Sequence, residues 1–426
     1  MQPGDLIDLD ITAVAHGGVF VARHENRVVF VTDAIPGERV RVALTDTKKA
    51  SFWRGDTVEV LDASPHRRPH VWAPADVRVA PADRPGGADF GHIALDHQRE
   101  LKADVLREAL TRFAGSDAPV TIEPPLSQVK GDRVVEESAD GTGWRTRVSL
   151  HVDDEGRIGP FAARSHRVIP VEELPLATQS ISRAMARRQG GSAGRLDLVQ
   201  PADGRVRVIS RPEHTRTRRP TPVDPAAREV VVETVGDREF QVDAGGFWQV
   251  HRLAAGTLHD AVAEAVTDAV DPEGWHLDLY GGVGLLAASV AGVGGPSTRI
   301  TSVESDSRAT EHAGENLAAW IGARAETARV DRWLANLVET ATPAQRTRLA
   351  RGTVVLDPPR AGAGKDVVER LVDLSPERIV YVACDPVALA RDLGTFAAHG
   401  YTTPSIRAFD LFPHSHHVEA IAVLTR

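Results

Sequence analysis

From about residue 240 to the carboxyl terminus, short β-branched runs alternate with helical patterns, and that alternation specifies a doubly wound, mostly parallel α/β sheet. Predicted strands at His276–Tyr280, Ile300–Val303, Thr353–Leu356 and Arg378–Val382 are interleaved with helical patterns over 253–270, 309–320, 366–374 and 386–398. Two further strands are expected near 405–409 and 419–424. Sheets of this kind carry their chemistry just beyond the carboxyl ends of the strands. The residues that follow each strand are therefore the first candidates for function.

The rest of the chain reads differently. Residues 1–62 hold four or five short strands, with Ile7, Leu9 and Ile11 alternating against Leu6, Asp8 and Asp10, and with turns at His16-Gly17-Gly18 and Pro36-Gly37. That density fits a small barrel of the oligonucleotide-binding type or a purely structural barrel. A loop rich in Pro and Gly leads to a helix capped by Asp96, with Leu101, Val105, Ala109 and Phe113 on one face. Strands and loops up to about 240 suggest an α+β insert. The expected division is 1–62, 63–236 and 237–426. No apolar run is long enough to span a bilayer and the amino terminus has no signal-peptide pattern, so a cytoplasmic monomer is expected.

Three segments carry titratable groups beyond strand ends. Asp278-Leu-Tyr280-Gly-Gly282-Val-Gly284 places glycines where backbone can approach a ligand at a helix start. Glu304, ending the next strand, is spaced to accept the ribose hydroxyls of a dinucleotide or of S-adenosylmethionine. In Asp357-Pro-Pro-Arg360 the prolines hold the chain extended at the sheet edge, with Asp357 turned into the crevice shared by Tyr280 and Glu304. Cys384 is the single cysteine and directly follows a strand, which leaves two readings, a nucleophile or a small buried residue. Phe412-Pro-His414-Ser-His416-His417-Val-Glu419 offers three histidines without the spacing of a zinc site, and a carboxylate at the head of an apolar strand, suited to taking a proton or to an ion pair.

Charge adds one constraint. The net charge of −9 argues against nucleic acid as a partner, yet residues 144–228 hold 16 Arg against 9 Asp plus Glu, a local +7.

Taken together the motifs resemble the S-adenosylmethionine-dependent RNA uridine-5-methyltransferase family, over nearly the whole chain. Phe247-Trp-Gln249-Val250 is similar to its cofactor segment, the Gly-rich motif shows Gly281 where many members have Cys, and Asp357-Pro-Pro-Arg360 matches its Asp-Pro-Pro-Arg motif. Cys384-Asp-Pro386 with Leu389-Ala-Arg391-Asp392 matches the nucleophile block, and Phe412 to Glu419 the block of the general base. The first 62 residues resemble a TRAM domain. The resemblance implies a Rossmann-like catalytic domain in which Cys384 adds to carbon 6 of a uracil and Glu419 removes the carbon 5 proton. Gln249, Tyr280, Glu304 and Asp357 would bind S-adenosylmethionine. The partner would be RNA, ribosomal 23S in preference to transfer RNA, presented single-stranded or flipped.

Two departures stand out. The family's four cluster cysteines are missing, with Pro85 and Ala88 in their segment, so no iron–sulfur cluster and no metal are expected. Asp385 replaces the usual Asn, and an added carboxylate raises a neighbouring thiol's pKa unless it is neutralised. An amino-group methyltransferase using Asp357-Pro-Pro, and a non-catalytic RNA-binding protein, are the competing readings.

Overall fold

The computed structural model describes residues 1–130, 133–163, 165–188, 190–212 and 224–426. The first five strands, β1 (Leu6–Ala15), β2 (Val19–His24), β3 (Arg27–Thr32), β4 (Arg39–Asp46) and β5 (Phe52–Asp62), close into a barrel in the order β1-β2-β3-β5-β4. The alternation in β1 sets its faces: Ile7, Leu9 and Ile11 are buried while Leu6 is exposed. The expected helix is α1 (Leu95–Ala109). Its first turn is not closed by Asp96, since the N-cap is Ala94 and makes no side-chain bond. Leu101 of α1 joins the barrel core, whereas Ala103, Leu106 and Ala109 join the core of the catalytic sheet. One helix thus serves two cores and fixes the barrel against the sheet.

The middle of the chain begins with β6 (Ile122–Glu123) and a small hairpin, β7 (Gln128–Lys130) and β8 (Arg133–Val135). β9 (Arg147–Val152), β10 (Ile158–Gly159), helix α2 (Gln179–Ala186), β11 (Gly194–Val199) and β12 (Arg207–Pro212) follow, with the strands in the order β10-β9-β11-β12. The next hairpin, β13 (Val230–Val235) with β14 (Arg238–Asp243), turns at residues 236–237, where a domain boundary is expected from sequence. Val231, Val235, Phe240 and Val242 pack in the core of the catalytic sheet, so the hairpin is part of that unit.

The remaining elements are α3 (Ala254–Val266), β15 (His276–Leu279), α4 (Leu285–Gly294), β16 (Ile300–Glu304), α5 (Ser307–Asn316), β17 (Ala323–Thr327), α6 (Val330–Thr340), α7 (Pro343–Ala350), β18 (Thr353–Leu356), α8 (Lys365–Leu374), β19 (Arg378–Ala383), α9 (Pro386–Ala398), β20 (Thr402–Phe409) and β21 (Glu419–Thr425). They build an eight-stranded sheet in the order β17-β16-β15-β18-β19-β21-β20-β6. The first five positions are parallel and β21 inserts antiparallel between β19 and β20. Alternation along β19 decides the layers: Ile379 and Tyr381 face one core, Val380 and Val382 the other. The fold class is the expected one. The chain winds outward from β15 to β17 and then returns to β18, so the switch point lies between β15 and β18. The expectation for Pro358 and Pro359 needs correction. β18 is a central strand, and the prolines follow its last residue, where no ladder bond is required of them.

Candidate active site

A cleft of about 1310 Å3 opens above the switch point, and Gln249, Tyr280, Glu304, Asp357, Cys384 and Glu419 all line it. Six residues scattered over 170 positions of sequence are therefore brought to one wall of the molecule by the strand order.

The Gly-rich turn leaves β15 with Tyr280 at φ +63°, a left-handed conformation that non-glycine residues rarely adopt. Gly281 is required by crowding rather than by φ: a Cβ there would run into the Ser302 hydroxyl and the Asp278 carboxylate. Ser302 Oγ donates to Asp278 Oδ2 at 2.9 Å, and Asp278 Oδ1 has no partner. Burial pushes the Asp278 carboxyl up to about 7. Glu304 is fixed beside this turn because its carboxylate accepts from Gly282 N at 3.2 Å and from Asp306 N at 2.8 Å. Oε1 also accepts from Ser305 N and Ser305 Oγ, so the position left for a ligand hydroxyl is on Oε2, which accepts from Gly282 N.

The candidate nucleophile and base come from adjacent strands. β19 and β21 are paired to Ala383↔Ala420, and one further step of the same antiparallel register sets Cys384 opposite Glu419. Glu419 is 4% exposed, and burial followed by the charge of Asp357 holds its carboxyl well above the usual range. Burial, and then the charge of Asp278, raises Asp357. Burial and the charges of Glu419 and Asp357 push the Cys384 thiol up to about 12, with Arg360 opposing them. Asp385 contributes least among these causes. Its Oδ1 accepts from Val387 N at 3.0 Å and Ala388 N at 2.8 Å, capping α9, and its other oxygen meets His16.

The three histidines do separate work. His414 contacts the Asp140 carbonyl at 2.7 Å, His416 the Asp89 carboxylate at 2.6 Å, and His417 the Arg360 guanidinium at 3.2 Å. Among the described residues no group of three or more His, Cys, Asp or Glu is placed to hold a metal ion. Four thiolates for an iron–sulfur cluster do not exist in a chain with one Cys.

Arg145 is a lining residue that was not singled out from the sequence. Arg145 reaches the cleft with no carboxylate partner among the described residues; burial and then the charge of Arg360 lower its pKa. Nothing marked it among 16 arginines of its segment. Others in that segment are spent on carboxylates: Arg147 on Glu233, Arg157 on Asp153, Arg195 and Arg211 on Asp197, and Arg207 on Asp203 and Glu229. Arg164, Arg216, Arg218 and Arg219 lie outside the described residues. Phe247 also lines the cleft and is 71% exposed, a large apolar ring left uncovered.

Comparison with known proteins agrees with this geometry. A family model described as tRNA (Uracil-5-)-methyltransferase matches residues 344–426, and a TRAM domain model matches residues 2–60. A chain of Streptomyces avermitilis described as an uncharacterized RNA methyltransferase is 38% identical over 99% of this chain and 98% of its own length. One of Streptomyces coelicolor, described likewise, is 36% identical over 99% of this chain and 93% of its own. The chain belongs to the RNA uracil-5-methyltransferase family. The fold of this methyltransferase is shared with the tRNA (uracil-54, C5)-methyltransferase of Pyrococcus abyssi, solved with S-adenosyl-L-homocysteine. The TM-score is 0.69 and the identity 22%, over 98% of this chain and 99% of that one. The segment matched to the uracil-5-methyltransferase model contains the candidate residues Asp357, Cys384 and Glu419. The enzyme is thus an S-adenosylmethionine-dependent RNA methyltransferase with an amino-terminal TRAM barrel. No helix among the described residues is long and apolar enough to cross a membrane.

Proposed function

We propose that the enzyme methylates carbon 5 of a uridine in 23S ribosomal RNA through a covalent bond between Cys384 and the uracil. The observation that carries this is the register of β19 and β21, which sets a thiol and a buried carboxylate side by side in the cleft that holds the Gly-rich turn. Carbon 5 of uracil is a weak nucleophile. Addition of the Cys384 thiolate to carbon 6 moves the ring's double-bond electrons toward carbon 5 and oxygen 4, and carbon 5 then takes the methyl group. Glu419 accepts the carbon 5 proton, and the electrons left behind expel Cys384 as thiolate. S-adenosylmethionine, when bound, supplies the methyl group. Glu304 and Gly282 fit its ribose and backbone approach, Tyr280 and Gln249 line its side of the cleft, and Asp357 completes that wall.

The RNA side is supported by cations and rings. Arg145 and Arg360 supply guanidinium groups to the cleft, and Phe247 a stacking surface for a base displaced from its helix. On the barrel, Phe30 and Phe52 lie 5.6 Å apart, with Arg54 5.6 Å from each ring and Lys49 4.7 Å from Phe52. Transfer RNA is the second reading. The Pyrococcus abyssi fold match spans the barrel as well, so the barrel does not separate the two RNA classes. Mapping 5-methyluridine by mass spectrometry in ribosomal and transfer RNA from a deletion strain decides between them. Loss from 23S RNA is expected, loss from transfer RNA alone moves the target, and loss from neither overturns the function.

A further inference from the structure

The turn between β1 and β2, His16-Gly17-Gly18, is where the barrel reaches the chemistry. His16 Nε2 lies 2.9 Å from Asp385 Oδ2, and Asp385 directly follows Cys384. Gly18 closes against His416: a Cβ there would stand 2.8 Å from the His416 ring, and its φ of +73° also favours glycine. His416 belongs to the loop that runs into Glu419 and is anchored by Asp89 at 2.6 Å. One barrel turn therefore touches both catalytic segments. Beneath it a second cavity of about 140 Å3 is lined by His16, Lys102, Cys384, Asp385, His416 and His417.

We propose that His16 is a positioning residue for the nucleophile: by pairing with Asp385 it offsets the carboxylate beside Cys384, so thiol reactivity depends on the docked barrel. The proposal rests on Cys384 being the nucleophile. Its physical root is the cap of α9. An oxygen is needed there to accept from Val387 N and Ala388 N, and Asp supplies it together with a negative charge. A like charge within a few ångströms disfavours a thiolate. The His16 contact answers that charge, and it is also the first cause of the raised pKa of His16 itself. Other groups around this pair do not take over the role. Arg391 of α9 opposes protonation of His16, Lys102 is held by Asp410 at 2.5 Å, His416 is held by Asp89, and burial drives His417 down to about 3. Arg360 also lines this cavity, and its side-chain contact there is with His417 at 3.2 Å.

A single cysteine makes the test site-specific. The full-length protein, without RNA or cofactor, is alkylated with iodoacetamide between about pH 6 and 10, and the rate is read by intact mass. His16→Ala should move the rate–pH curve up by about 0.3–0.5 unit, which is about two- to threefold slower on the rising limb, since Asp385 is the weakest of the charges on the thiol. Asp385→Asn should move it down, and the double variant should follow Asp385→Asn. Coincidence of His16→Ala with the parent overturns the proposal. So does a double variant as slow as His16→Ala, because the contact would then only dock the barrel. The readout needs no RNA: normal shifts alongside absent methyl transfer would sink the proposed function and leave this inference standing.

Discussion

Replacing Glu419 by Gln separates two roles that its position combines. Gln keeps the size and a hydrogen-bonding oxygen but cannot take a proton at neutral pH. A general base contributes about 10²- to 10⁴-fold, or about 2.7–5.4 kcal/mol of barrier, so turnover should fall by that factor. Adduct formation should not fall with it. Glu419 is the first charge among the causes that hold the Cys384 thiol up, so its removal favours the thiolate. A methylated, still covalent enzyme–RNA species should therefore accumulate, visible on denaturing gels with a labelled methyl donor. A stability signature accompanies it. The folded carboxyl sits above its ordinary value of 4.5, so its contribution to stability is fullest below that value and is lost as pH rises through the folded pKa. The melting temperature of the Gln variant should thus gain on the parent as pH increases. Turnover near the parent rate, or loss of adduct in step with loss of turnover, would show that Glu419 is not the carbon 5 base.

Three further outcomes are expected. Cys384→Ala should form no adduct with RNA containing 5-fluorouridine in the presence of cofactor, scored by gel shift under denaturing conditions; an adduct equal to the parent's would remove Cys384 as nucleophile. Lys102→Met should destabilise the fold by up to about 3 kcal/mol, because buried Asp410 then keeps only the 3.4 Å contact of Arg99, and Lys102→Met with Asp410→Leu should recover part of the loss in denaturant titrations. Gly281→Ala should abolish calorimetric binding of S-adenosylhomocysteine, since the new methyl group collides with Ser302 and Asp278 under the cofactor turn; unchanged affinity would take that turn out of the cofactor site.

The catalytic sheet was legible because its strands are buried on both faces and bounded by turn residues, which is why Thr353–Leu356 and Pro386–Ala398 appear at the expected positions. β17, α6 and α7 were not read. β17 has the exposed sequence Ala323-Arg-Ala-Glu-Thr327 and lies at the sheet's edge, where no apolar run is needed. The boundary expected at 236–237 came from the change of pattern near residue 240, and in the structure those residues form the turn of the β13–β14 hairpin. The site residues on strand ends followed from the fold. Arg145 did not, since nothing in the local sequence separates it from the other arginines of its segment and the packing that brings it to the cleft is not local.

Asp385 shows where local reading stops. Adjacent to Cys384 in the chain, it reads as a charge set against the nucleophile. In three dimensions its two oxygens are divided between the start of α9 and a histidine 369 positions away, and it becomes the weakest of the charges acting on the thiol. The stronger ones, Glu419 and Asp357, come from other strands and converge only because β21 inserts next to β19. Burial and those carboxylates hold the thiol up to about 12, and the guanidinium of Arg360 opposes them. In the proposed mechanism a bound sulfonium would add positive charge to that of Arg360, while His16 answers Asp385. On that proposal the thiol's reactivity depends on the docked barrel as well as on the cleft.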